Sequence, residues 1–397
     1  MNPFLAVMAA SFLARLSYQM ARSPVLPRFA ESLGALPELV GMVVAASTVT
    51  GVLFKLPAGA LSDLFGRRRV MLLGAVFFAL PPFVYPVVQS AGSLLALRFV
   101  HGFATAIFSP VASAYVAGLG EKGRGARLGW FSSAGDLGAT AGPLIGGLVL
   151  YATTSFAASY LVVGLFGVLA LVMALRVPET GAKAAPSESS LGARAAEFRS
   201  GLREVITTPA VLTTAAVEAA IYLGFGAFLG FLPLYARAVG LNDAEIAVIL
   251  ALELAIAMLA KPFAGSLSDR LGRKPVIVAG LLASAAAQPL IFRMTSFAGL
   301  LAVVPLLGLG VAAVTPATNA LIADLVAVRR LGAGMGVFGT IWDIGEAAGP
   351  ILAGVLIERI GYEPAFDVIA AIIAAVALAF AARVRVATAP VAGPKRP

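Results

Sequence analysis

The sequence predicts an all-α membrane protein with twelve transmembrane helices, arranged as two six-helix bundles related by pseudo-two-fold symmetry. Three observations predict this fold: the composition, a series of long apolar runs, and the recurrence of the same landmarks in both halves. Of the 397 residues, 60% are hydrophobic and 12% are charged, whereas soluble domains carry roughly 25% charged residues. Because so few charges cannot cover a hydrated surface, we expect lipid to surround most of the molecule.

The apolar runs are long enough to cross a bilayer, which takes about 20 helical residues. The first run is expected to be a retained span, because nothing basic precedes Arg15 and no small-residue cleavage site follows. We expect twelve spans, near residues 4–27, 38–60, 70–90, 93–118, 127–150, 155–176, 209–235, 243–264, 275–294, 297–324, 331–357 and 363–384.

Basic residues concentrate on one side of this arrangement. The loops that follow even-numbered spans contain Arg67, Arg68, Arg69, Lys122, Arg124, Arg127, Arg270, Arg273, Lys274, Arg329 and Arg330. The opposite loops hold or border only Arg28, Arg237, Arg293 and Arg359. Since basic loops favour the cytoplasm, we expect a multi-pass protein of the bacterial inner membrane with both termini cytoplasmic. The net charge of +9 then reflects topology, and no nucleic-acid partner is expected.

The spans group into domains around one long polar segment. Residues 1–176 form the N-terminal bundle and residues 209–384 the C-terminal bundle. Between them, residues 177–208 are a cytoplasmic linker with an amphipathic helix, which either lies on the leaflet or is solvated. Residues 385–397 form a basic cytoplasmic tail.

Landmarks of the first half recur in the second half at an offset of about 206 residues. Lys55 corresponds to Lys261, and Asp136, at an offset of 207, corresponds to Asp343. Shared landmarks in the same order indicate two bundles of common design. In such transporters the substrate site lies near the midplane, between the halves.

Several of these landmarks carry a family resemblance. The segments 59–69 and 265–274 are similar to the loop signature of the major facilitator superfamily, with Leu64 departing from its usual basic residue. Arg98 and His101 fall in a segment that looks like the fourth-helix motif of that family, with His in the Gln position. The glycines from Gly138 onward resemble the fifth-helix motif of its twelve-span drug:proton antiporters.

The resemblance implies roles for these motifs. The loops would gate the cytoplasmic entrance; alternatively, their arginines only determine the topology. The residues expected to form this gate are Gly59, Asp63, Gly66, Arg67, Gly265, Asp269, Gly272 and Arg273. Glycines four residues apart let helices approach closely, and proline can kink a span. The residues expected to serve such helix packing are Gly138, Gly142, Pro143 and Gly146.

Ionisable residues within the spans are the candidate functional groups, because each costs roughly 2.5–3.5 kcal/mol or more at the bilayer centre. The residues expected to couple protons are Arg98, Asp136, Glu218 and Asp343. Those expected in the substrate cavity are Arg15, Tyr18, Tyr222, Glu253, Trp342 and Glu346. Alternatively, some form structural salt bridges, and Arg15 with Asp136 is a candidate pair.

We therefore expect a monomeric secondary transporter that exports small amphipathic compounds by proton antiport. The alternative is a proton-coupled transporter of a metabolite such as a sugar or organic acid. No phosphate-binding loop is present, so the energy source would be a proton gradient without any cofactor. The absence of cysteine excludes disulfides and thiolate metal sites, and no constellation supports an enzyme.

Overall fold

The computed structural model describes residues 2–120, 123–179, 209–325 and 331–383, with positions 192, 196, 199 and 203 between them. The described residues form twelve long helices joined by turns. We number them α1 Pro3–Ser32, α2 Pro37–Phe65, α3 Arg67–Val87, α4 Ala91–Ala117, α5 Arg124–Thr153, α6 Phe156–Leu175, α7 Pro209–Ala238, α8 Asp243–Leu271, α9 Arg273–Ile291, α10 Phe297–Leu325, α11 Leu331–Ile360 and α12 Tyr362–Arg383.

The prediction of an all-helical membrane protein is confirmed. Among the described helices, eleven are long and apolar enough to cross a membrane. The exception is α5, whose glycines, serines and Asp136 lower its mean hydropathy. Large apolar side chains point away from the protein, as Leu161, Leu165 and Leu169 do along one face of α6. Such a stripe suits contact with lipid.

Two of the helices are interrupted where proline removes a backbone donor. In α1 a π-helical turn at Ala21–Val25 contains Pro24. In α3 the regular helix ends at Ala79, and two 3-10 turns follow at Pro81–Phe83 and Tyr85–Val87. The interruption in α1 places Arg22 and Ser23 at the boundary between the two halves of the chain.

Helix contacts fall mainly within each half. In the first half α1 packs on α5 and α6, α2 on α4, and α3 on α4 and α6. In the second half α7 packs on α11 and α12, α8 on α10, and α9 on α10 and α12. The extensive contacts between halves are those of α2 with α11 and of α5 with α8.

The glycine series of α5 lies against α1. A Cβ added at Gly142 would lie 2.7 Å from Cβ of Gln19, and one at Gly146 would lie 3.0 Å from the carbonyl oxygen of Met20. At Gly138 the backbone of α1 is also close. The second half repeats this contact, because Gly345 and Gly349 of α11 meet the backbone of α7. The series is thus a packing surface inside each half.

The two halves meet at the end where the α1–α2 and α7–α8 turns lie. Gly41 of α2 faces the carbonyl of Pro350, and Gly354 of α11 faces that of Pro37. Arg28 and Asp243 form an ion pair across the same boundary. Hydroxyl Oγ of Ser23 donates to the carbonyl of Leu229 at 3.1 Å. These contacts close that end of the molecule.

At the opposite end, Gly66 connects α2 to α3 and Gly272 connects α8 to α9. Their φ angles are +94° and +93°, values that glycine adopts without steric cost. We refer to this end as the Gly66–Gly272 end. The linker at 177–208, with its predicted helix, lies almost entirely outside the described residues. The tail at 385–397 lies wholly outside them.

Candidate functional site

A cavity of about 470 Å³ lies between the two halves. Helices α1, α2, α4 and α5 form most of its first wall, and α7, α8 and α11 form most of its second. Its deepest charged residues are Arg22 and Glu346, and its lining continues through Lys55 and Lys261 toward the Gly66–Gly272 end. Since the opposite end is closed, the cavity opens toward the Gly66–Gly272 end.

Three ion pairs cross the cavity, and each joins one half to the other. Arg22 on α1 pairs with Glu346 on α11. Nζ of Lys55 on α2 lies 2.5 Å from Oδ2 of Asp343 on α11.

The third pair has a looser geometry. Nζ of Lys261 on α8 lies 3.7 Å from Oδ2 of Asp136 on α5. Each carboxylate in the cavity thus has a basic partner on the facing wall. Such pairs stabilise the contact between halves while they hold, and separation would leave each charge to water or a ligand.

The alternative that the sequence left open, a salt bridge of Arg15 with Asp136, is wrong. Both residues line the cavity, but Asp136 pairs with Lys261. The reason is the direction in which the Arg15 side chain extends, because its aliphatic stem lies over the glycine face of α5, next to Gly135 and Gly138. Among the described residues, no carboxylate lies within 4.0 Å of the Arg15 guanidinium.

Aromatic side chains supply the apolar part of the lining. The rings of Tyr222 and Trp342 are tilted against each other with centroids 4.5 Å apart, and Phe225 contacts Tyr222 edge to face. Tyr18 lies on the opposite wall. The cavity therefore combines flat apolar surfaces with charged groups, which is suited to an amphipathic ligand.

Arg98 lies behind Tyr18, outside the cavity lining. Its side chain is fully buried, and its guanidinium carbon lies 4.7 Å from the centroid of the Tyr18 ring. Nη1 of Arg98 lies 3.4 Å from Nδ1 of His101, and the hydroxyl of Tyr85 lies 3.1 Å from the same nitrogen. Since arginine can only donate, Nδ1 accepts and the imidazole is neutral.

Two acidic residues of the second half lie behind the cavity wall. Glu218 on α7 is fully buried, and its Oε2 accepts a hydrogen bond from Thr318 at 2.6 Å. Glu253 on α8 is also fully buried, and neither of its oxygens has a hydrogen-bond partner. The prediction that Glu253 lines the substrate cavity is therefore wrong, because its side chain is enclosed by protein.

The contacts described for the two loop motifs lie inside their own halves. Nη1 of Arg67 donates to the carbonyl of Ala114 on α4 at 2.8 Å. Arg273 pairs with Asp269 and lies 3.7 Å from Asp324 on α10. Gly59 and Gly265 lie on α2 and α8 before these turns, and the side chain of Asp63 lies outside the described part.

The sequence reasoning missed the role of Lys55 and Lys261 as cavity cations. A signal was present: Lys55 and Lys261 share an offset of 206 residues, while their partners Asp343 and Asp136 share an offset of 207. Two lysines and two aspartates in matched positions could have indicated matched pairs. Within the described residues, His, Cys, Asp and Glu form no group of three able to hold a metal ion.

The chain is similar to known transporters over most of its length. It is 25% identical over 346 residues to an uncharacterised MFS-type transporter of Methanocaldococcus jannaschii, covering 85% of this chain and 87% of that protein. It is 27% identical to the multidrug resistance protein MdtG of Enterobacter lignolyticus, covering 88% and 84%.

A solved structure shares the fold. The crystal structure of a D323A mutant of the nucleoside transporter NupG superposes with a TM-score of 0.80 at 14% identity, covering 96% of this chain and 99% of that one. The family model described as Major Facilitator Superfamily matches residues 7–242 and 214–397. With a helical membrane fold and a central cavity in agreement with that match, the chain belongs to the Major Facilitator Superfamily of secondary transporters.

Proposed function

We propose that this transporter exports small amphipathic compounds in exchange for protons. The observation that carries the proposal is the cavity itself: it is closed at one end, open at the other, and lined by aromatic rings and by ion pairs that join the two halves. A site whose charges belong to two separable walls can be exposed to each side of the membrane in turn.

The alternation follows from a pseudo-two-fold relation between residues 1–176 and 209–384. The glycine contact of α5 with α1 has a counterpart in α11 with α7, and the lysine–aspartate pairs are exchanged by the same relation. Two six-helix bundles of similar design can rock about a site at their interface. The chain works as a monomer in this scheme, because the cavity is complete within one copy.

The basic loops give the orientation. Arg67, Arg68, Arg273 and Lys274 lie at the Gly66–Gly272 end, and basic loops favour the cytoplasm. With both termini, the linker at 177–208 and the tail at 385–397 on that side, the structure is an inward-open form in the bacterial inner membrane. A compound would then enter the cavity from the cytoplasm.

The loop motifs gate this cytoplasmic entrance. In the inward-open form Arg273 contacts Asp269 and Asp324, which belong to its own half. When the entrance closes, the Asp63 and Asp269 loops approach helices of the other half. New contacts of their charged groups with those helices would hold the outward-open form.

Proton coupling is assigned to Glu218, assisted by Asp136, Asp343 and Arg98. Glu218 is fully buried and one of its oxygens has no hydrogen-bond partner. Burial without a partner for that oxygen disfavours the ionised carboxylate, so the protonated form is favoured in this conformation. Tyr222 lies one helical turn from Glu218 and lines the cavity, which connects the proton site to the ligand.

The direction of transport rests on relatives. The Enterobacter lignolyticus relative is named for multidrug resistance, which supports export. The second candidate is transport of a metabolite, and the observation that favours it is the number of charged groups in the cavity. A lining with seven ionisable residues also suits a polar substrate.

The decisive experiment measures transport by the purified protein in proteoliposomes. Vesicles that hold the protein in opposite orientations are separated and assayed individually. With the cytoplasmic face outward, an acidic lumen should drive accumulation of an amphipathic fluorescent compound in the lumen, and dissipating the pH gradient should abolish it. Accumulation that is unaffected when the gradient is dissipated would contradict proton exchange. Accumulation of a sugar, or of a small organic acid without an apolar body, instead of amphipathic compounds would favour the second candidate.

A further inference from the structure

The cavity holds one more basic group than acidic groups. Its ionisable lining consists of four bases and three acids, namely Arg15, Arg22, Lys55, Lys261, Asp136, Asp343 and Glu346. Every acid is paired with a base. The remaining base is Arg15, which among the described residues has neither a carboxylate within 4.0 Å nor a hydrogen bond.

We propose that the transported compound carries an acidic group, which the guanidinium of Arg15 binds, on a flat apolar body held by Tyr222 and Trp342. This inference rests on the proposed function, since it names the class of compound that the cavity takes. It concerns binding alone and is independent of the direction of transport and of the coupling ion.

The placement of Arg15 is fitted to this role. Its aliphatic stem lies against the glycine face of α5: Cβ of Arg15 lies 3.3 Å from where a Cβ on Gly138 would be, and its Cγ lies 3.7 Å from the corresponding position on Gly135. The stem packs on α5, and Arg15 lines the cavity. Guanidinium binds a carboxylate or sulfonate through two parallel hydrogen bonds, which gives both energy and orientation.

The facing wall provides the second half of the site. Tyr222 and Trp342 form a tilted aromatic pair with ring centroids 4.5 Å apart, on α7 and α11, while Arg15 is on α1. A compound with an acid at one end and a ring at the other would therefore contact both halves. Such a ligand would bind the two walls together, as a substrate of a rocking transporter must.

A cationic compound finds no unpaired acid among the described residues that line the cavity. Each carboxylate that it could bind already has Lys55, Lys261 or Arg22 as its partner, so a cation would have to share or displace that partner. Displacing a partner leaves that base unpaired, and the cost is greatest for Arg22, whose side chain is only 7% exposed. An acid, by contrast, finds Arg15 unoccupied, so the arrangement selects for anions and zwitterions.

The test uses a fluorescence reporter that the chain offers. The chain has two tryptophans, and Trp130 is 66% exposed on the outer surface. In a Trp130→Phe background Trp342 alone reports on the cavity. Nitrophenyl compounds quench tryptophan, so the probes are 4-(4-nitrophenyl)butanoic acid, its amide and the corresponding amine, titrated against protein in lipid nanodiscs at pH 7 without any gradient.

We expect the acid to quench Trp342 with an affinity about tenfold or more above that of the amide, as a charged hydrogen bond requires. Arg15→Gln should remove this difference by lowering the affinity for the acid, and Arg15→Lys should restore part of it. Arg237→Gln removes the same charge outside the cavity and should change none of the three affinities. The reciprocal Trp342→Phe variant, which keeps Trp130, measures quenching by probe dissolved in lipid.

Equal quenching by acid and amide, tighter binding of the amine, or an acid preference that survives Arg15→Gln would each overturn the proposal. Quenching by the acid that is no greater in the Trp342 reporter than in the Trp130 reporter would overturn it as well. None of these results bears on export, which the proteoliposome experiment decides separately. Conversely, a failure of proton exchange there would leave the acid preference unchanged.

Discussion

Glu218 differs from the cavity acids because, among the described residues, no basic group lies within 4.0 Å of its carboxylate. Asp136, Asp343 and Glu346 each face a lysine or arginine, whereas the one hydrogen bond described for Glu218 comes from the hydroxyl of Thr318. An acid with a cation at its side can remain ionised inside a protein, but one without a cation favours the neutral form. The proton-carrying group is therefore best sought behind the cavity wall.

We expect Glu218→Gln to abolish uphill transport driven by a pH gradient while exchange of substrate down its own gradient continues. The amide mimics the permanently protonated acid and keeps the hydrogen bond with Thr318, so folding should be retained. Transport in proteoliposomes with and without a gradient measures both activities. Asp367→Asn, which removes an exposed acid paired with Arg293, serves as the control and should behave like the parent chain. Uphill transport that survives in Glu218→Gln would remove Glu218 from the mechanism.

At the level of single residues, the sequence could identify which ionisable groups lie within spans but not which of them meet. Arg15 and Asp136 were a candidate pair because their helices adjoin, and α1 and α5 do pack together. The structure nevertheless pairs Asp136 with α8, because the stem of Arg15 occupies the glycine face of α5. Direction of a side chain depends on helix rotation, which a single sequence leaves open.

At the level of helices, glycines serve two different functions. Gly142 and Gly349 lie at contacts inside a half, where α5 meets α1 and α11 meets α7. Gly41, Gly147 and Gly354 lie at contacts between halves, which must open in an outward-open form. Substitution of the first group should impair folding, and substitution of the second should shift the balance between conformations.

We expect Gly41→Ala to disfavour the form seen here, because the new Cβ would overlap the carbonyl oxygen of Pro350. Overpacking of this kind costs typically about 1–3 kcal/mol, so the population ratio should shift roughly tenfold or more toward the outward-open form. The measurement is labelling of a single cysteine at the cavity residue Thr140 by an impermeant thiol reagent added outside. Gly92→Ala is the matched control, since nothing lies within 4 Å of its Cβ position. Equal labelling in the two variants would contradict this assignment.

The helices themselves were largely predictable. Apolar runs of sufficient length predicted twelve spans, and the glycine series predicted close packing of α5. Two features were not predictable in detail: the π-helical turn at Ala21–Val25 and the division of the α3 end into 3-10 turns. A proline predicts that a helix is interrupted, but it does not predict whether the result is a kink, a π-helical turn or a 3-10 turn. That outcome depends on packing against the neighbouring helices.

At the scale of the whole molecule, the arrangement of charge distinguishes the two ends. One end is held closed by Arg28 with Asp243 and by glycine contacts between halves. The other carries the arginine-rich turns at Gly66 and Gly272 and the opening of the cavity. The sequence indicated which end is basic, but it could not indicate which end is open. Conformation depends on a small energy difference between two packings of the same helices.

The description of this structure as inward-open depends on how the chain is oriented in the membrane. Basic residues are concentrated at the Gly66–Gly272 end, and translocating them across the membrane is disfavoured. We therefore expect the linker at 177–208 to lie in the cytoplasm and the α1–α2 turn to lie outside. The chain contains no cysteine, so Ser187→Cys and Leu36→Cys each provide a single label site, and Leu36 is 63% exposed. On intact cells an impermeant maleimide should label Leu36→Cys at once and Ser187→Cys only after permeabilisation. The reverse pattern would make the structure outward-open, and the compound would then enter the cavity from outside.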